Sequence, residues 1–269
     1  MSIETGRLPL DRGTPAAVNS TRNAAMRAGF GRRDGDQLVL TQEPHAAMFE
    51  VVERLSTLEC GLQAEDGVLL CDLGGGTIDL ASYRIIQVRA PTKWQRIADF
   101  HGGTCAGATI NAEFYGLLVE RFGDAFRAVP LREKAPSSRF MRTFEENKQN
   151  FGPGSAELMP MRLVMNRQPT QGYRANLITI TNDDLRNCFD PVVSKITRLI
   201  EAYLELTGAQ CPSVRINRMV FVGGLSESLH VQERLSSHFG THFTMILLTE
   251  PQAVVRGAVK CGIRGGDTQ

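Results

Sequence analysis

The sequence predicts a mixed α/β fold, and three observations carry that reading. Apolar runs of strand length, such as Val68 to Leu73 and Met219 to Val222, are bounded by glycines. Other segments place their apolar residues at helical spacing. The two kinds alternate along the chain, with intervening hairpins. In order, Asn23 to Ala28 reads as a short helix stopped by Gly29, and Gln37 to Leu40 as a strand. Pro44 opens a helix with Met48, Val51, Val52 and Leu55 in phase. Val68 to Leu73 is a buried strand; a glycine cluster follows, then a second strand from Thr77 to Ile86. The stretch Gly102 to Gly107 feeds a helix carrying Ile110, Phe114, Leu117, Leu118 and Phe122 on one face. Ser138 to Phe151 is an amphipathic helix ended by Gly152-Pro153-Gly154-Ser155, and Leu158 to Met165 and Leu177 to Thr181 are strand-like. A long helix spans Asp184 to Leu206, with Asp190 placed to cap a second half that Pro191 would open. The last elements are a strand (Met219 to Val222), a helix (Ser226 to Phe239), a strand (Met245 to Leu248) and a helix (Gln252 to Cys261).

A length of 269 residues allows one large domain or two lobes. Thirty Lys and Arg against 29 Asp and Glu leave a net charge of +1 with no basic run, so nothing supports a nucleic-acid partner. The apolar runs fall far short of the ~20 residues of a membrane helix, and the start, Met1 to Arg7, has no apolar secretory core. Cys60, Cys71, Cys105, Cys188, Cys211 and Cys261 are scattered without a CxxC pair, which reads as free thiols in a reducing compartment. The expectation is a cytoplasmic protein without a membrane or nucleic-acid partner. His45, His101, His230, His238 and His242 show no metal-ligand spacing, and Trp94 and Tyr173 are isolated aromatics.

The most informative stretch is Asp72-Leu73-Gly74-Gly75-Gly76-Thr77-Ile78-Asp79. Three glycines let backbone N–H groups approach an anion. Thr77 adds a hydroxyl, and Asp72 and Asp79 are candidates to hold a metal ion directly or through water. No Gly-Lys-Ser/Thr follows, so this is not a Walker A loop, and the GxGxxG of dinucleotide binding is absent. A hairpin gripping phosphate at its tip is one reading; a ligand-free glycine turn is the other. Gly223-Gly224, between a strand and the helix expected at Ser226, would offer N–H groups and a positive dipole end, and so would Gly107. Glu43 puts a carboxylate at a strand-to-helix junction, as a site group or as a plain cap.

Glu43-Pro44-His45-Ala46-Ala47, the Asp72 to Asp79 hairpin, Gly102 to Gly107, Val222-Gly223-Gly224 and Ala253 to Ala258 occur in that order. The combination resembles the heat shock protein 70 family of the actin-like ATPase superfamily, with its divergent heat shock 70 kDa protein 12 type looking most similar. The resemblance covers about Thr14 to Ile263. It implies an actin-like ATPase (ribonuclease H-like) fold that binds ATP or ADP with Mg²⁺. It also implies mostly lobe II (65–263), with 107–185 as an inserted peripheral subdomain, a remnant of lobe I (1–64) and a tail (264–269). Carried over residue by residue, Asp72 and Glu43 line the Mg²⁺ and attacking-water side. Gly74, Gly75, Gly76 and Thr77 form the second phosphate loop, which makes Asp72, Glu43 and Thr77 the catalytic set. Asp72 and Asp79 are the metal candidates, and Gly107 is a further nucleotide-binding candidate. Glu145 and Lys148 lie where the family contacts adenosine, and Gly223, Gly224 and Ser226 form the adenosine loop.

The chain departs from the family as well. No N-terminal hairpin with a first phosphate loop precedes Thr14: Asp11-Arg12-Gly13-Thr14 matches its letters, but no strand leads in and Pro15 follows. The early lysine-bearing subdomain is missing, Gln149 and Glu227 stand where arginines sandwich the adenine, and Pro251-Gln252 lacks an acidic residue. Nothing after Ile263 matches a peptide-binding domain. The resemblance thus implies an N-terminally truncated, chaperone-type ATP-binding domain with weak or absent hydrolysis. A protein-interaction module that keeps the fold without nucleotide is the alternative; a sugar or acetate kinase of the same fold lacks a substrate constellation. In a truncated lobe I, Met48, Val52 and Leu55 are expected to be exposed as an association surface for another chain.

Overall fold

The computed structural model describes residues 2–4, 15–32, 36, 38–56, 61–88, 91–154, 157–165, 177–248 and 252–263. Along the chain run β1 (Ser2–Glu4), α1 (Pro15–Arg27), β2 (Val39–Thr41), α2 (Glu43–Ser56), β3 (Gly67–Leu73), β4 (Ile78–Gln87), β5 (Lys93–Arg96) and β6 (His101–Gly103). These are followed by α3 (Gly107–Phe122), α4 (Asp124–Arg127), α5 (Leu131–Lys134), α6 (Arg139–Gln149), β7 (Met161–Arg162), β8 (Leu177–Ile178) and α7 (Asn182–Gln210). The chain closes with β9 (Ile216–Val222), a 3₁₀ turn (Gly224–Glu227), α8 (Leu229–Phe239), β10 (Thr244–Leu247) and α9 (Ala253–Ile263). Gln37, Cys60, Tyr173, Pro251, the Asp11-Arg12-Gly13-Thr14 tetrapeptide and the 264–269 tail lie outside the described residues.

One mixed sheet organises the molecule, in the order β10-β9-β3-β4-β5, with β6 also paired to β4. β9 runs parallel to both β10 and β3, whereas β4 is antiparallel to β3, β5 and β6. Strand side chains alternate between faces. Leu69, Cys71, Leu73, Ile78 and Leu80 therefore pack with α3, α6 and α7 on one face. Val68, Leu70, Ala81, Tyr83 and Ile85 pack with α2 on the other.

The second face overturns one expectation. Met48, Val52 and Leu55 are 0%, 2% and 1% exposed, because α2 lies on β3 and β4 and against α9. Burying each such side chain is worth about 1.5–3 kcal/mol, so the sheet takes this helix face and no association surface is left on it. The contact with α9 is close. A Cβ at Gly257 would fall inside the Ala46 carbonyl, 2.6 Å from its carbon. The Ala46–Ala47 and Gly257–Ala258 motifs, far apart in sequence, thus meet backbone to backbone. Beside them Glu50, 1% exposed, accepts from Lys260 and from Arg54 Nε at 3.0 Å.

Other boundaries shift for identifiable reasons. α7 is one helix of 29 residues, begun by a capping box between Thr181 and Asp184; Asp190 caps nothing and Pro191 lies inside. A proline within a helix costs about 3 kcal/mol, here outweighed by the buried Cys188, Phe189, Val192, Val193 and Ile196 on either side of it. Asp190 Oδ1 instead sits 2.8 Å from His230 Nε2 of α8. The strand-like stretches after α6 are the two-residue β7 and β8; ahead of β7 the Asn147 side chain takes both the N–H (2.8 Å) and the C=O (2.9 Å) of Met159, which keeps that residue out of the ladder. The helix expected from Ser226 divides into the 3₁₀ turn and α8, with Ser228 capping α8. Gly29, with φ +99°, stops α1, whose start at Pro15 lies well before Asn23. β1, β5 and β6 carry no apolar signal in the sequence: β1 is three residues beside β2, β5 is a mostly exposed edge, and β6 sits in a glycine stretch. Among the described residues no helix is long and apolar enough to cross a membrane.

Candidate functional site

The β3–β4 hairpin turns through Gly74 to Thr77, with the Gly74 N–H donating to the Thr77 carbonyl at 3.0 Å. α3 starts directly against this tip. The Gly107 N–H donates to the Gly74 carbonyl (3.3 Å) and the Ala108 N–H to the Gly75 carbonyl (2.6 Å). The first turn of α3 therefore spends two of its otherwise unpaired N–H groups on the loop, so the free donors expected at Gly107 are engaged.

A cavity of about 580 Å³ opens beside this junction. Its wall brings together Gly74, Gly75, Gly107, Glu145, Lys148 and Gly224, six of the residues named from sequence. Gln149 and Glu227, the two departures, line it too. Asn111, which sequence reasoning missed, ties the wall together. Its Nδ2 donates to Glu145 Oε1 (2.7 Å), Lys148 Nζ donates to its Oδ1 (2.8 Å), and Lys148 Nζ stands 2.6 Å from Glu145 Oε2. The available signal was its position one helical turn after Gly107, on the same face of α3. The triangle holds the Lys148 amine with its side chain 12% exposed, as a fixed cation at the cavity's edge.

Asp72, Asp79 and Glu43 fall elsewhere. Asp72 and Asp79 stand opposite each other in the β3–β4 ladder. They share strand parity with Val68, Leu70, Ala81 and Tyr83, so both lie on the face covered by α2, the helix that Glu43 opens. Two carboxylates on adjacent strands suit a hard cation such as Mg²⁺, which takes the rest of its shell from water and phosphate. Among the described residues no group of three or more His, Cys, Asp or Glu could hold a metal alone.

Gly223, with φ +88°, sits on the Asp72 carboxylate: a Cβ there would collide with Asp72 Oδ1 and lie 2.6 Å from the Leu73 carbonyl oxygen. Ser226 is 1% exposed, and its hydroxyl donates to the Gly223 carbonyl at 2.7 Å. It braces the turn and does not line the cavity. Gly76 and Thr77 occupy the hairpin tip outside the wall. The five described cysteines are free. Burial pushes the Cys71 thiol far up and Cys188 up to about 12, aided by the neighbouring Asp72 and Asp184, so neither is a nucleophile.

No family model matches the chain. Among curated proteins, human heat shock 70 kDa protein 12B is 24% identical over 249 residues, covering 83% of this chain and 35% of that protein. The chaperone protein DnaK of Buchnera aphidicola subsp. Schizaphis graminum is 22% identical over 259 residues, or 95% of this chain and 38% of the relative. DnaK of Stenotrophomonas maltophilia is 22% identical over 256 residues, with the same two shares. The chain thus spans little more than a third of the length of the curated relatives it matches. Over 83–95% of its length the chain is similar to these heat shock protein 70 family members, at low identity.

Proposed function

We propose that this chain is a heat-shock-70-like adenine-nucleotide-binding domain, with the phosphates against Gly74 to Thr77 and the adenosine against Glu145, Lys148 and Gly224. The observation that carries the reading is convergence: four segments spread over 150 residues, at Gly74–Gly75, Gly107, Glu145–Lys148 and Gly224, line one cavity. Its volume is ordinary for a small-ligand site. Asp72 and Asp79 would hold Mg²⁺ with Glu43 on the same side, and the ion would supply charge neutralisation to the phosphates. Within this reading residues 65–263 correspond to lobe II, with 107–185 inserted, and α2 packs as part of that lobe.

Hydrolysis by this 269-residue chain is slow or absent. Beside the Gly74 to Thr77 loop, the N–H groups of Gly107 and Ala108 are already taken by the Gly74 and Gly75 carbonyls and are not free to position a phosphate. Loss of positioning by ~1 Å costs about 10²-fold in rate. Calorimetric titration with ATP and ADP, with and without Mg²⁺, tests the reading. Mg²⁺-dependent binding that Gly75→Val abolishes is the expected result, because Gly75 lines the cavity. Unchanged affinity in the variant rejects the phosphate-loop role. Gln149 and Glu227 on the wall supply no cation to stack on a base and favour the second reading, a non-catalytic interaction module. A folded chain that binds no nucleotide at millimolar concentration decides for it.

A further inference from the structure

A second cavity, of about 460 Å³, lies at the edge of the sheet away from the glycine hairpin, between β2, the start of α2, β4 and β5. Trp94, Arg96, Phe100, His45 and Tyr83 line it, and its described lining includes no Asp or Glu. The Tyr83 hydroxyl is fully buried and has no hydrogen-bond partner among the described residues. Such a group destabilises the fold unless something satisfies it. Arg96 forms no ion pair among the described residues; its guanidinium lies 4.6 Å above the Phe100 ring. Trp94 is held edge-on to Phe49 at 4.9 Å, and His45 edge-on to Phe49 at 5.5 Å.

We propose that this cavity binds a small aromatic carboxylate, with Arg96 pairing the carboxylate, the Tyr83 hydroxyl hydrogen-bonding it, and Trp94 and Phe100 flanking the ring. The electrostatics suit an anion. Burial first, and then the Arg96 charge, holds His45 below its usual range and so neutral, while burial keeps the Tyr83 phenol protonated. The wall then offers a cation and a neutral hydroxyl donor beside an uncharged imidazole, with no negative charge among its described residues. Guanidinium pairs carboxylate with two parallel hydrogen bonds, which gives direction as well as attraction. Rigid aromatic walls contribute contact area at little entropic cost. This site is independent of the nucleotide reading, since it shares no residue with the first cavity.

Trp94 is the only tryptophan of the chain, so its emission reports on this cavity alone. The test titrates the full chain with benzoate as probe and with benzamide as the uncharged isostere, following Trp94 emission and confirming stoichiometry by calorimetry. Expected are saturation by benzoate in the millimolar range, binding of benzamide at least about tenfold weaker, and an Arg96→Gln loss of about tenfold. Arg96 is exposed, so that variant keeps the fold. Tyr83→Phe removes the unpartnered hydroxyl; it is expected to raise the unfolding temperature of the free chain while weakening benzoate. The proposal is overturned by no saturable change up to about 20 mM benzoate, by equal binding of benzamide, or by unaltered binding in Arg96→Gln. A Tyr83→Phe chain that unfolds at lower temperature overturns it too, since the hydroxyl then already has a partner.

Discussion

Gly223 and Gly224 are neighbours in sequence and opposites in structure, which makes them a paired test of the site's geometry. Gly223 has φ +88° and ψ 156°, a backbone region nearly closed to other residues. Forcing a side chain there costs about 1–3 kcal/mol. The added Cβ would also lie 2.6 Å from the Leu73 carbonyl oxygen and collide with Asp72 Oδ1. Restoring ordinary contact requires the ends of β3 and β9 to part by roughly 0.8 Å, and such overpacking typically costs about 1–3 kcal/mol more. Gly223→Ala is therefore expected to destabilise by about 2–5 kcal/mol and to lower the unfolding temperature by roughly 5–15 °C. Nothing lies within 4 Å of a Cβ at Gly224, and its φ is not positive. Gly224→Ala should stay within about 0.5 kcal/mol of the parent or gain slightly. Urea denaturation of both variants, with the slope checked for two-state behaviour, measures the difference. Equal costs at the two positions, or a neutral Gly223→Ala, would refute the contact between the β9 terminus and Asp72.

Three further outcomes follow from the packing. Gly257→Ala, whose Cβ would enter the Ala46 carbonyl, should cost about 3 kcal/mol or more in urea, because both partners are helix backbone; an unchanged midpoint would separate α2 from α9. Burial alone would raise the Glu50 carboxyl, but hydrogen bonds and charge from Lys260 and Arg54 hold it below its ordinary range. Its stabilisation is thus present above the ordinary value of 4.5 and lost as pH falls through and below it. Glu50→Gln should flatten that acid limb in thermal scans from about pH 6 to 3. Thr181→Ala, which removes the side-chain cap of α7, should cost about 1 kcal/mol; no loss would mean that the Asp184 carboxylate, which accepts from the Thr181 N–H, holds the helix start alone.

The long elements were legible because burial writes a period into the sequence. Val68 to Leu73, the helix after Gly107 and the helix carrying Phe140 and Phe144 were placed to within a residue or two. Elements stabilised by backbone pairing at an edge leave no such trace: Lys93–Arg96 is a strand because β4 offers it a ladder, not because its side chains ask for one. Pro191 shows the converse. A local rule predicted a break, and the buried face running past it won. The same override hid the fate of Met48, Val52 and Leu55: their apolar face was read correctly, but its partner is a sheet more than ten residues further along and a helix about two hundred residues away.

The site divided along a line that strand parity draws, and parity is a property of sequence once register is known. Gly74 and Gly75 stand where the strands end, free of either face, and so they reach the cavity beside α3 and α6. Asp72 and Asp79 are inside the ladder and must share the face of Val68, Leu70, Ala81 and Tyr83. A motif eight residues long therefore serves two sides of the sheet at once, the glycines on one and the carboxylates on the other. Gly223 is where those sides meet, since its missing side chain lets the end of β9 rest on Asp72 while Gly224, one residue on, faces the cavity. This is why Gly-Gly, rather than a single glycine, is needed at that turn if the cleft is to hold phosphate and cation together. In the proposed nucleotide site the first glycine would serve the carboxylate and the second the ligand, so substitution at the two positions should fail in different ways: Gly223 in stability, and Gly224, once a bulky side chain is placed there, in nucleotide binding with the fold intact.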